Sequence, residues 1–203
     1  MDVIPFDASI DQKTLVLVGK ANLKNEKYIS QAKVVEEFVK QGGRALFMDV
    51  PGKRIQRLHI GGELEEVEAS ALPFGAEMHS KWVMLGGWVG KSHIVIDHPV
   101  FDGLPINMIM HGVYENVHPK TSMAKQKGTY IAGLIGYDHF PNMDIMIRHY
   151  NGPGDTWWAA DVLEAEIGNG RMLLSTLDLI SHLESDPVAE KILFNMINYM
   201  NKK

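Results

Sequence analysis

Residues 168–200 constrain the fold more than any other stretch of the chain. Gly168-Asn169-Gly170 reads as a tight turn, and Met172-Leu173-Leu174-Ser175-Thr176-Leu177 behind it is a short apolar run with a polar end. A run of that length bounded by turn residues is the pattern of a strand buried on both faces. Beyond Asp178-Leu179, Asp186 is a good N-cap and Pro187 suits the first helical turn. Val188, Ile192, Leu193, Met196, Ile197 and Met200 then fall on one stripe, which predicts an amphipathic helix from about Asp186 to Met200. A buried strand followed by a helix that packs on its sheet is the unit from which α/β domains are made.

The N-terminal half repeats the theme. Residues 1–13 read as an extended lead-in, with Val3, Ile4 and Phe6 around Pro5. Thr14-Leu15-Val16-Leu17-Val18-Gly19 is a continuous apolar strand of the doubly buried kind. Glu26 to Gln41 is predicted helical with Ile29, Val34, Val35, Phe38 and Val39 inward, and Gly42-Gly43 stops it. Arg44-Ala45-Leu46-Phe47-Met48 is the next strand, which completes a βαβ unit with a right-handed crossover. Between Gly52 and Tyr150 the pattern is irregular. Short strands are expected at His93–Ile96, Tyr130–Ile135 and Asp144–Tyr150, with less regular segments at Glu63–Glu68 and Lys81–Gly90. Residues 97–105 form a compact turn, and Trp157 to Ile167 pairs with Arg171 to Leu177 as a hairpin.

Composition narrows the function classes. The 203 residues suit one domain, since no linker or charge block divides them, and 45% hydrophobic with 22% charged is ordinary for a globular chain. A formal net charge of −5 argues against electrostatic binding to nucleic acid or to a membrane surface. No apolar run is long enough to span a bilayer. The absence of cysteine removes a thiol nucleophile, a disulfide framework and any thiolate metal site, and leaves the compartment open. Nine histidines invite a metal reading, but no pair has His-Glu-x-x-His or His-x-His spacing, so no metal and no cofactor are expected. Neither Gly19-Lys20-Ala21-Asn22 nor Gly86-Gly87-Trp88-Val89-Gly90 has the spacing of a phosphate loop.

Three segments together carry a resemblance. They are Phe38 to Phe47 around Gly42-Gly43, His98-Pro99-Val100-Phe101-Asp102-Gly103-Leu104-Pro105, and Gly168 to Leu179. In this order and spacing the chain resembles the class I glutamine amidotransferase-like superfamily. It is most similar to the non-catalytic modules carried by bacterial glycoside hydrolases of the β-galactosidase and family 2 type. The resemblance covers most of the chain and is weakest from Gly52 to Lys91. It implies a flavodoxin-like three-layer α/β sandwich with a mostly parallel central sheet, to which the residues themselves add an antiparallel hairpin near the C-terminus.

The same resemblance points to a missing group. In active members a nucleophilic cysteine sits in the tight turn after the strand that follows the Gly-Gly pair. Here that turn is Met48-Asp49-Val50, with neither thiol nor serine. Asp49 is the one catalytic candidate, against the plainer reading of a carboxylate that ends a strand and bonds the next turn. Tyr137 and His139, in an aromatic-rich loop, and Trp157-Trp158, after a turn-rich segment, are candidates for a ligand or interface surface. On a strand adjacent tryptophans point to opposite faces, so at most one lies in a given core.

The expectation is therefore a non-catalytic accessory or oligomerisation module of a bacterial carbohydrate-active enzyme. Its partners would be neighbouring domains, a second copy of itself or carbohydrate, and neither nucleic acid nor membrane. The alternatives are a free-standing hydrolase with a non-cysteine site and a glycan- or small-ligand-binding module.

Overall fold

The computed structural model describes Phe6 and residues 10–20, 26–49, 78–79, 93–119, 122–124, 127–137 and 156–202. Its organising layer is a mixed β-sheet. The strands are β1 (Leu15–Lys20), β2 (Arg44–Asp49), β3 (Met78–His79), β4 (Ile94–Val95), β5 (Met108–Ile109), β6 (Ser122–Ala124), β7 (Thr129–Tyr137), β8 (Thr156–Ile167) and β9 (Gly170–Ser175). Their order among the described residues is β1-β2-β9-β8-β7-β4-β5, with β6 pairing β8 and β3 pairing β6. The pairs β1/β2 and β2/β9 are parallel, and every pair from β9 to β5 is antiparallel. The expected parallel character belongs to one wing, and the hairpin foreseen at β8/β9 begins an antiparallel wing. β1 is the terminal strand of this order, whereas β2 and β9 are flanked on both sides.

Strands β2 and β9 are covered on both faces because they are apolar at successive positions, whereas β1, expected to be buried on both faces, ends the described strand order and leaves Leu17 37% exposed. Ala45 and Phe47 of β2, with Met172 and Leu174 of β9, belong to a core containing Val35, Phe38 and Val39. Leu46 and Leu173, one residue out of phase, belong to a second core with Ala189, Ile192, Met196 and Met200. Alternate strand residues point to opposite faces. Among the described residues the α-helices are α1 (Glu26–Lys40) and α2 (Pro187–Asn201), and they therefore lie on opposite sides of the sheet. This is a three-layer α/β arrangement.

Helix α1 ends as the glycine pair predicts. Gly42 has a φ of +114°, its N–H donates to Val39 O, and the Gly43 N–H donates to Phe38 O at 3.1 Å. This 6→1 and 5→2 pattern is a Schellman cap. The β8/β9 turn docks against that cap. A Cβ on Gly168 would lie 2.5 Å from Lys40 O, and one on Gly170 would lie 2.1 Å from Val39 O. The two glycines of Gly-Asn-Gly thus permit close approach of two backbones, and the Asn169 N–H donates to Lys40 O at 3.0 Å. Of the residues expected inward, Val35, Phe38 and Val39 are buried, but Val34 is 42% exposed and Ala32 is buried instead. The stripe is shifted from that expectation, with Ala32 three residues before Val35 on the inward face and Val34 turned outward, while the Ile29 side chain lies outside those described.

Helix α2 is fixed at both ends. Asp186 Oδ1 accepts the Val188 N–H at 2.7 Å. At the other end Arg44 Nη1 reaches Met200 O at 2.8 Å, and Arg171 Nη2 reaches Met200 O at 3.1 Å. Guanidinium groups at the carbonyl end satisfy exposed acceptors and suit the helix dipole. The turn at residues 98–105 serves as a clamp for this helix. Val100 and Phe101 are buried, the His98 ring meets Tyr199 edge-on at 4.7 Å, and Asn195 Nδ2 donates to Val100 O and Asp102 O at 3.2 and 2.9 Å. Asn195 therefore faces inward, while Leu193, expected on the buried stripe, is half-buried at the edge of the core.

Candidate functional site

In α/β sheets ligands bind beyond the carboxyl ends of the parallel strands, where loops converge on backbone ends that cannot be fully covered by helices. The pairing of β2 with β9 runs to Phe47↔Leu174. Two residues further on, Asp49 closes β2 and Thr176 follows β9, so both stand at the same end of the sheet. Strand β8 overshoots that end. Its pairing with β9 stops at Val162↔Ser175, but it continues against β7 as far as Tyr137↔Thr156. Residues 156–161 of β8 and the last residues of β7 therefore form an arm that runs past the paired end of the parallel strands.

A buried polar cluster sits at the root of this arm. Asp161 is fully buried on β8. One carboxylate oxygen accepts Ser122 Oγ of β6 at 2.6 Å, and the other meets Nδ1 of His93, just ahead of β4, at 2.6 Å. A carboxylate only accepts, so the histidine proton sits on Nδ1. The Asp161 backbone carbonyl takes the Thr176 N–H at 2.8 Å and Thr176 Oγ1 at 3.3 Å. His93 is 5% exposed, and its ring packs edge-on against His118 with centroids 4.4 Å apart. His118 Nδ1 lies 3.3 Å from Pro119 O. Removing a carboxylate from water costs several kcal/mol, which short charge-assisted bonds to two donors offset in large part.

Serine, histidine and aspartate are thus adjacent, but their order is that of a brace. Nucleophilic catalysis needs the serine hydroxyl bonded to the imidazole, with the carboxylate behind it. Here the carboxylate lies between them, the serine proton is directed at it, and all three side chains are closed to solvent. Residues from three separate segments are tied to one atom group, which fixes where β6, β8 and the approach to β4 meet. Sequence reasoning missed this cluster. Its visible trace is a charged residue inside the apolar run Ala159-Ala160-Asp161-Val162-Leu163, since a buried charge must find partners.

The candidates named from sequence distribute unevenly. Asp49 is half-buried at the end of β2 and bears the only carboxylate of that strand. Tyr137 ends β7, opposite Thr156, while Trp157 pairs with Gly136 and Trp158 with Ile135. The backbone therefore brings Tyr137, Trp157 and Trp158 together on the projecting arm. His139 lies outside the described residues, as do the segments expected at Glu63–Glu68, Lys81–Gly90 and Asp144–Tyr150. Among the described residues no group of three or more His, Asp or Glu side chains is placed to hold a metal ion, and no helix is long and apolar enough to cross a membrane. The fold and this strand end define the chain as a mixed α/β domain with a braced polar cluster under an aromatic-bearing arm. No protein-family model and no curated protein matches it.

Proposed function

We propose that this chain is a non-catalytic accessory or oligomerisation module of a bacterial carbohydrate-active enzyme of the β-galactosidase-like type. In this reading its scaffold is a flavodoxin-like sandwich similar to amidotransferases that has exchanged chemistry for contact. The observation that carries the reading is the state of the strand end. Strand β2 closes on Met48-Asp49, where an amidotransferase would carry its thiol. The neighbouring serine and histidine are both bound to Asp161 rather than to each other. Because the described cluster pairs neither its serine nor its histidine as a nucleophile and base, this reading assigns the contact role to the arm carrying Tyr137, Trp157 and Trp158, since aromatic anchors are favoured at well-packed contacts.

Two measurements test this together. The purified chain should hydrolyse glutamine no faster than a buffer blank. It should also co-elute with the catalytic domain of its parent enzyme or self-associate in light scattering, and replacing Trp157 and Trp158 by alanine should abolish that association. Glutamine turnover that disappears in Asp49→Asn would replace the proposal with a hydrolase. A chain that stays monomeric and ignores the catalytic domain would remove the contact role.

A further inference from the structure

Phe194 is the most exposed large apolar residue described in the chain, at 61%, although it sits on the otherwise well-packed α2. It lines a cleft of about 360 Å³ between α2 and the clamp at residues 98–105. Pro99 and Asp102 contribute from the clamp, Lys191, Asn198 and Tyr199 from the helix, and Lys202 from its C-cap. Helical spacing explains the grouping, since Lys191, Phe194 and Asn198 are three and four residues apart and share one face. Asn195, next to Phe194, is buried and bonded to two clamp carbonyls, which holds the clamp against the helix and keeps the cleft's two walls in register.

We propose that this cleft binds a neutral saccharide, with one sugar ring stacked on Phe194. The chemistry of the lining selects that class. An exposed aromatic ring and a proline ring supply apolar surface in the cleft, of the kind that suits the C–H face of a pyranose. Around it stand a carboxylate that only accepts hydrogen bonds, two ammonium groups that only donate, and an amide that does both. Vicinal hydroxyl groups need both kinds of partner. A simple anion would meet Asp102, a simple cation would meet the two lysines, and a wholly apolar ligand would leave four polar groups desolvated. The size falls within the range of small-molecule sites. This site is separate from the strand-end arm, so its occupancy and the contact role proposed above stand or fall independently.

The test is a titration of the isotopically labelled full chain with lactose, cellobiose and maltose, followed by backbone amide shifts. Binding in the millimolar range by at least one sugar is expected, with the largest shifts at Lys191, Phe194, Asn198 and Asp102. Phe194→Ala should weaken it by about tenfold or more, in line with loss of about 1.4 kcal/mol or more of stacking, and Asp102→Ala should weaken it as well. Both substitutions are on the surface, and an unchanged amide spectrum elsewhere verifies the fold. Three results would overturn the proposal. One is no shift with any of the sugars up to about 50 mM, an affinity too weak to organise a ligand. Another is sugar binding that Phe194→Ala leaves intact. The third is self-association of the sugar-free chain that Phe194→Ala abolishes, which would make the ring a protein contact. Co-elution with the catalytic domain is measured on the same variants and reports on the arm alone.

Discussion

The carboxylate of Asp161 accepts from Ser122 and His93, and either donor can be removed without altering the strand that carries it. Ser122→Ala takes away one of two bonds to a buried charge and should cost about 1–3 kcal/mol in urea denaturation. Asp161→Ala leaves two buried polar side chains without their acceptor and should cost at least as much as the serine variant. Equal midpoints for both variants and the parent would show that the cluster is hydrated and is no brace. Asp186 makes a second, pH-dependent case. The Asn116 amide first, and then the Val188 N–H, hold its carboxyl below the usual carboxylate range. A depressed folded value means that the contribution is present above the unfolded value near 4 and fades as pH falls through the folded one. Asp186→Ala should therefore cost about 1 kcal/mol at neutral pH, the usual worth of an N-cap. That cost should shrink as the pH is lowered below about 4.

At the scale of elements, α2 separates a hydrophobic pattern from actual burial. Its stripe predicts six inward residues, and Ile192, Met196 and Met200 are indeed buried, but Val188, Leu193 and Ile197 are half-buried at the rim. Ile192→Ala should cost about 2–5 kcal/mol, as for a large residue removed from a packed core. Leu193→Ala should cost less, because its site is already partly in water. Phe194→Ala should lie within about 0.5 kcal/mol of the parent, as surface substitutions do. Chemical denaturation of the three variants gives the order directly, and an equal cost at Leu193 and Ile192 would mean that the helix is rotated from the phase described. The inward turn of Asn195 was not legible from periodicity. Its partners are carbonyls of Val100 and Asp102, more than ninety residues earlier in the chain.

For the molecule as a whole, the sheet couples two cores. Strands β2 and β9 give alternate residues to the α1 face and the α2 face, so neither face can be lost without exposing the back of the other. Val39→Ala on one face and Ile192→Ala on the other should therefore shift one shared transition, with fluorescence and far-ultraviolet dichroism coincident in each variant. Two separated transitions in either variant would show that the layers unfold independently. The aromatic arm is part of the same sheet, since β8 runs without a break from β9's partner positions to Thr156. The brace at Asp161 sits where β8 leaves β9, at the root of that arm.

What the chain encodes locally was readable without coordinates. The glycine pair that ends α1, the turn at 168–170, the N-cap at Asp186 and the doubly apolar runs of β2 and β9 depend on neighbours within a few residues, so residue type and spacing suffice. The α/β class follows from them. The same pattern in β1 did not reveal that Leu17 is exposed at the end of the described sheet. Tertiary structure decided how the strands are ordered, with β1 at the end of the described sheet and β9 between β2 and β8. It also decided that Val34 and Phe194 face water while Ala32 and Asn195 do not. The polar cluster is the clearest instance. His93, Ser122 and Asp161 are 29, 39 and 68 positions apart in pairs, and no local pattern links them. Only strand pairing brings a buried charge to its donors, because a carboxylate's partners are set by distance in space and not by separation along the chain.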